Sequence, residues 1–198
     1  MQRKLIIISF LTLDGVMQAP GGKDEDTEGG FKHGGWQMSF SRADDDENTM
    51  LENLKQAGAL LLGRKTYDNF AAYWPTTGKD VPWFGEFMNS IPKYVASKTL
   101  QKTDWQNSVL LESNTIDAIA KLKKENGKDI YVIGSGHLSQ TLMQNNLVDE
   151  YVQMIYPITL GEGKRLFQNN HHKQNLELIK SKISKNGILV LNYKVKWS

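Results

Sequence analysis

The sequence predicts one α/β domain over residues 1–198, with a mostly parallel central sheet and an antiparallel C-terminal hairpin. Three observations predict it. Short apolar runs alternate with helical stretches along most of the chain, the order that builds a parallel sheet with crossover helices. Several of these runs end in turns rich in glycine, serine and lysine. Near the C-terminus, Asn186-Gly187 is the strongest short hairpin signal, and Leu189, Leu191, Tyr193 and Val195 alternate after it.

The elements follow in order. Leu5-Ile6-Ile7-Ile8 reads as a buried strand that Asp14-Gly15 ends. Arg3-Lys4 before this apolar stretch looks like the start of a signal peptide, but Ser9, Thr12 and Asp14 interrupt it and no cleavage pattern closes it. Residues 18–35 form a long loop with Pro20 and six glycines. Loops beyond ~12–15 residues are usually functional or disordered, and His33 and Trp36 at its far end favour a lid or binding loop. Ser41 starts a helix whose first turn holds Asp44, Asp45, Asp46 and Glu47, charges that complement the macrodipole. Met50, Leu51, Leu54 and Ala57 follow at helical spacing, and Gly58 is expected to stop it.

Ala59-Leu60-Leu61-Leu62 is a short buried strand, and a helix follows to about Ala72, ended by Trp74-Pro75. The stretch 76–92 is the least regular, with a short helix expected over 84–89. Strands are expected at Tyr94-Val95-Ala96 and Val109-Leu110-Leu111, and a helix over 115–125. Asp129 to Ile133 is a strand, and 137–144 a helix. A strand over 151–160 carries Pro157 as an edge or bulge.

Composition narrows the function. The chain has 24 basic and 22 acidic residues, a net charge of +2, which argues against a broad nucleic-acid surface. Its 198 residues fit one large domain, or at most two small ones, and no linker divides them. It has no cysteine, hence no disulfide, thiolate nucleophile or zinc ribbon, and a reducing compartment is its natural setting. No run reaches the ~18 apolar residues of a membrane helix. The four histidines form no ligand pattern, His171-His172 being read as solvated, and no metal site is expected.

Open α/β sheets bind ligands beyond the carboxyl ends of their strands, and three motifs occupy that position. In Gly63-Arg64-Lys65-Thr66, glycine lets the backbone turn, a helix N-terminus offers free N–H groups and two cations add charge. This suits phosphate; the plainer alternative is a strand–helix turn with solvated charges. Ile133-Gly134-Ser135-Gly136-His137 lets backbone approach a pyrophosphate, although Ser139 stands where a dinucleotide fingerprint has its third glycine. Ser97-Lys98-Thr99 offers hydroxyls and a lysine to a monophosphate. Together the three fit an extended ligand with several phosphates, such as a dinucleotide.

The ordered set Leu13-Asp14-Gly15, Gly63-Arg64-Lys65-Thr66-Tyr67, Pro92-Lys93-Tyr94-Val95-Ala96-Ser97, Val132-Ile133-Gly134-Ser135-Gly136, Leu147-Val148-Asp149-Glu150 and Pro157-Ile158-Thr159-Leu160-Gly161-Glu162-Gly163 resembles the dihydrofolate-reductase-like family. Within it, the chain resembles the branch of the reductase domain of the riboflavin-biosynthesis deaminase-reductase. The resemblance implies a three-layer fold and an NADPH-dependent reduction of a pterin-like or pyrimidine-like heterocycle. It implies cofactor contacts at Gly63, Arg64, Lys65 and Thr66, at Ser97 and Lys98, and at Ile133, Gly134, Ser135, Gly136, His137 and Leu138. Trp36, Tyr67 and Gln153 are expected on the substrate side. Glu47, with Asp14 as second candidate, is either a proton donor or, for Glu47, a helix-end acid. The family also implies a homodimer, with the apolar C-terminal strands as interface material; the absence of cysteine and of a long apolar run leads to the expectation of a cytoplasmic enzyme without membrane partners. The competing reading is a non-catalytic nucleotide-binding protein on the same fold.

Overall fold

The structure, a computed structural model, describes residues 2–40, 52–80, 82–111, 115–168 and 173–197. The expectations for Ser41, Asp44, Asp45, Asp46, Glu47, Met50, Leu51, His171 and His172 lie outside these residues. Among the described residues, eight strands form one sheet in the order β4-β3-β2-β5-β1-β6-β8-β7. They are β1 (Leu5–Thr12), β2 (Ala57–Gly63), β3 (Lys93–Ala96), β4 (Ser108–Leu110), β5 (Asp129–Ile133), β6 (Glu150–Tyr156), β7 (Asn175–Ile183) and β8 (Leu189–Lys196). β1 to β6 run parallel, and β8 and β7 add the antiparallel edge.

Among the described residues, the helices α1 (Arg64–Thr77), α2 (Pro82–Ser90), α3 (Thr115–Lys124) and α4 (Gly136–Gln144) flank the sheet. Side chains alternate along the buried strands, so each strand feeds two cores. Ile6 and Ile8 of β1 face a core with Trp36, Leu54, Tyr67 of α1, Met88 of α2, Trp105 and Tyr156. Leu5, Ile7 and Leu11 face the other, with Ile119 and Leu122 of α3 and Leu138 and Leu142 of α4. These are three layers, helix–sheet–helix.

The distribution of helices positions the site. From β2 the chain passes through α1 and α2 on one face to β3. From β5 it passes through α4 on the opposite face to β6, beyond β1. Right-handed crossovers demand this, because the two connections move across the sheet in opposite directions. β2 and β5 are nonetheless neighbours, in parallel register through Leu61 and Val132. The chains leaving their carboxyl ends pass to opposite faces, which makes this a topological switch point.

Three expectations are corrected. Gly58 does not stop a helix; it lies inside β2, at a register shift between Ala57 and Ala59. A Cβ there would stand 2.8 Å from the Lys128 carbonyl oxygen, so the glycine answers a tertiary approach. Pro75 does not end α1, which continues to Thr77. In the last turn a proline forfeits a single intrahelical N–H bond, and the Gly78 N–H closes the end on the Trp74 carbonyl. The short helix expected over 84–89 is present, as the nine-residue α2. Finally, β6 ends at Tyr156, before Pro157, and lies between β1 and β8 rather than at an edge. The hairpin expected at Asn186-Gly187 is present: Gly187 has φ +78, and its N–H donates to the Ser184 carbonyl at 3.0 Å.

Candidate active site

Two turns are locked together at this switch point. The Gly63 N–H donates to Ser135 Oγ at 2.9 Å, and the Ser135 N–H donates to Thr66 Oγ1 at 3.0 Å. Each turn holds the other, across 72 residues of chain. Ser135 takes a left-handed conformation, φ 56 and ψ 50, as the N-cap of α4, a state that costs a non-glycine residue about 1–2 kcal/mol. Gly134 beside it has φ +62, and a Cβ there would press on Thr66 Oγ1 at 3.3 Å. The lock therefore requires residues that are small and conformationally permissive.

Its result is two helix N-termini side by side. Neither has a side-chain cap, and neither first turn contains an acid. Free N–H groups and the positive dipole ends of α1 and α4 are left to an anion. α1 goes further, because Arg64 and Lys65 are its first two residues. Cations at a helix N-terminus oppose the macrodipole and cost about 0.3–1 kcal/mol each. Helix stability does not account for them; in the structure Arg64 is paired with Asp68 and Lys65 with Glu28.

Arg64 joins the third motif to the first two. Its Nη1 donates to Thr99 Oγ1, and its Nε lies 3.3 Å from Asp68. Thr99 belongs to a tight turn in which Ser97 Oγ accepts the N–H groups of Thr99 (3.2 Å) and Leu100 (2.9 Å). The exposed Lys98 lies in the same turn. Arg64, Ser97 and Lys98 thus gather beyond β3, next to the paired turns. His137 is exposed in the first turn of α4, whereas Ile133 and Leu138 are buried and set the turn's position through packing.

Several candidates have structural commitments. Asp14 accepts the Gly161 N–H at 2.8 Å and the Leu160 N–H at 3.3 Å, and a hydrogen bond from Thr12 Oγ1 at 2.5 Å. Burial pushes its carboxyl up, but these bonds outweigh burial and hold it below the ordinary 3.8. It is an ionised anchor for the 160–161 turn. Trp36 is buried, with its indole N–H on the Gln18 carbonyl at 2.8 Å and its ring edge-on to Tyr156. The Tyr67 hydroxyl accepts the Trp105 N–H at 3.1 Å. Gln153 pairs with Ser9 across β6 and β1, and alternation places it on the sheet face opposite Trp36 and Tyr67. Its buried Nε2 has no hydrogen-bond partner, nor does Ser9 Oγ. The structure does not bring Gln153 together with the other two substrate-side residues.

Sequence reasoning missed what secures the long loop. Gln18 is buried and donates to the carbonyls of Asp26 (3.1 Å) and Glu28 (2.9 Å), while accepting the Lys164 N–H (3.0 Å). Lys164 Nζ bonds Asp26 at 2.6 Å and Glu28 at 2.8 Å. Glu28 also accepts from Lys65 of α1, and these two lysines hold its carboxyl down to about 2. Partners some 140 residues away leave no local signal. Among the described residues, no group of three or more His, Cys, Asp and Glu could hold a metal, and no helix is long and apolar enough to cross a membrane.

Comparison with known proteins agrees with this fold. Residues 3–190 match the model of the RibD C-terminal domain. The chain is 30% identical over 197 residues to protein YyaP of Bacillus subtilis (strain 168), covering 97% of this chain and 95% of that one. It is 22% identical over 178 residues to YwjB of the same strain, covering 90% of each. Among solved structures it is similar to a putative riboflavin biosynthesis protein from Shewanella sp. PV-4, with a TM-score of 0.73 and 23% identity over 98% of this chain and 99% of that one. It is also similar to a pyrimidine reductase-like protein from Corynebacterium diphtheriae, with a TM-score of 0.62 and 13% identity over 99% and 93% of the two chains. With a family match along nearly its whole length and a sheet that carries twin N-termini at its switch point, the chain belongs to the RibD C-terminal domain family.

Proposed function

We propose that the protein is an NADPH-dependent reductase of a small pterin-like or pyrimidine-like heterocycle. One observation carries the reading: two uncapped helix N-termini, locked side by side, with two cations where the macrodipole disfavours them. The residues suit a phosphorylated dinucleotide. The free amides of α1 and α4 would hold the pyrophosphate, with Gly63, Gly134 and Gly136 keeping the approach open. Arg64, Ser97 and Lys98 would hold the 2′-phosphate that distinguishes NADPH from NADH.

When bound, NADPH supplies the hydride; the protein supplies binding, orientation and a proton. The loop over residues 18–36 shields the carboxyl edge of the sheet through Trp36 and Phe31, which pack into the core. Reduction of a C=N bond leaves a ring nitrogen that takes up a proton. With Asp14 committed to the 160–161 turn, Glu47 is the acid we assign to that proton. A cysteine-free enzyme of this kind suits the cytoplasm, and a second copy docked on the C-terminal strands is the partner we expect. β7 exposes Leu178, Ile179 and Ile183 there.

The test is a panel of pterins and pyrimidines, scored by loss of NADPH absorbance. Turnover with one class, lost in Arg64→Ala when NADPH is limiting, supports the reading. Binding of NADPH with no turnover on any member would favour the nucleotide-binding alternative.

A further inference from the structure

The 25–30 segment lies along α1 and is fastened at two places. Asn69 Nδ2 donates to the Glu25 carbonyl at 3.2 Å, and Lys65 Nζ bonds the Glu28 carboxylate. Lys65 and Asn69 are four residues apart and share one face of α1. On its other side the segment is held by Lys164, through both Asp26 and Glu28, and from beneath by Gln18. The two moorings differ. Lys65 and Glu28 side chains are 67% and 53% exposed, whereas Lys164 and Asp26 are 31% and 25% exposed. The α1 mooring is the weaker, because exposed pairs contribute little.

Glu28 also brings the only kind of charge that this end of α1 favours. An uncapped helix N-terminus with two cations attracts an anion, and here a carboxylate of the protein's own long loop meets it. We propose that Glu28 is an internal stand-in for the ligand's phosphate, exchanged for it at Lys65 when the ligand binds. Lys65 then moves to the phosphate, Glu28 and Asp26 stay on Lys164, and the 25–30 strap leaves α1 while remaining moored to the 161–166 segment. The inference rests on the phosphate reading of the α1 N-terminus. It makes Glu28 an affinity-setting residue that touches neither substrate nor reacting atoms.

The experiment compares wild type with Glu28→Gln by calorimetry, using NADPH and inorganic pyrophosphate, and follows amide hydrogen exchange over residues 25–30. Removing the competing charge should tighten NADPH by about two- to fivefold, the scale of one exposed ion pair. In wild type, NADPH should speed exchange at the Gly30 amide, which donates to the Thr27 carbonyl in the free protein. In Glu28→Gln that amide should already exchange faster, with little further change on binding. Equal or weaker NADPH binding by Glu28→Gln overturns the exchange of partners but leaves the phosphate site standing. So does slower exchange over the strap in wild type, which would mean that it closes on the ligand instead. Failure of both proteins to bind either NADPH or pyrophosphate overturns the phosphate reading itself.

Discussion

Replacing Ser135 with alanine tests whether the paired turns are one unit. The substitution removes the oxygen that accepts the Gly63 N–H at 2.9 Å, at a half-buried position. An unsatisfied N–H costs about 1–3 kcal/mol, and the left-handed backbone at residue 135 remains strained. For a chain of this length 1 kcal/mol shifts the melting temperature by about 2–4 °C, so Ser135→Ala should melt about 2–12 °C lower. Ser135→Gly loses the same oxygen but is at ease at φ 56, and it should recover up to about 1 kcal/mol relative to alanine. Urea unfolding monitored by tryptophan fluorescence, with slopes checked for equality among the three proteins, measures both differences. A Ser135→Ala protein within 0.5 kcal/mol of wild type, or a glycine variant less stable than the alanine one, would refute the lock.

Three other substitutions test the scaffold. Lys93 is buried, with Nζ on the carbonyls of Met88 (2.9 Å) and Ile91 (2.7 Å) and over the Trp105 ring, and burial pushes its ammonium down to about 8. The unfolded chain then holds more protons than the folded one between pH 8 and 10.5, so stability should rise with pH from 8 to 10. Lys93→Met should abolish that rise in a melting-temperature profile; a flat wild-type profile contradicts it. Asp14, held below 3.8, contributes stability that is present above that pH and lost as pH falls through its depressed value. Asp14→Asn should flatten the acid limb of the profile, and an unchanged limb would mean that the 160–161 turn does not depend on the charge. Gly58→Ala would force a Cβ onto the Lys128 backbone and should cost about 1–3 kcal/mol in urea unfolding, whereas no loss would show that β2 and the 128 segment can part freely.

The parts of the fold legible in the sequence are those with local causes. β5 is bounded as expected because a continuous apolar run lies between Gly127 and Gly134, both with positive φ. The Asn186-Gly187 turn carries its own conformational signal. Gly58 was misread because its reason is the approach of Lys128, seventy residues away, and Pro75 because a proline in a last turn offends little. The site divides in the same way. Each phosphate-friendly turn is visible as glycine or serine after an apolar run. The bonds that join Gly63 to Ser135 and Ser135 to Thr66 follow from β2 and β5 being neighbours, which no local pattern states. The strap from Asp26 to Glu28 depends on Gln18 and Lys164, and its charges read in isolation as solvated loop residues.

The most direct test of the proposed cofactor site is calorimetric titration of wild type and Arg64→Ala with NADPH and NADH. Charge-assisted hydrogen bonds are worth about 1.5–3 kcal/mol each, and 1.4 kcal/mol is tenfold in affinity. Wild type should therefore bind NADPH at least ~10-fold more tightly than NADH, and Arg64→Ala should lose most of that preference while melting close to wild type. Equal affinities of wild type for the two cofactors would contradict the assignment of the Arg64, Ser97 and Lys98 corner to a 2′-phosphate.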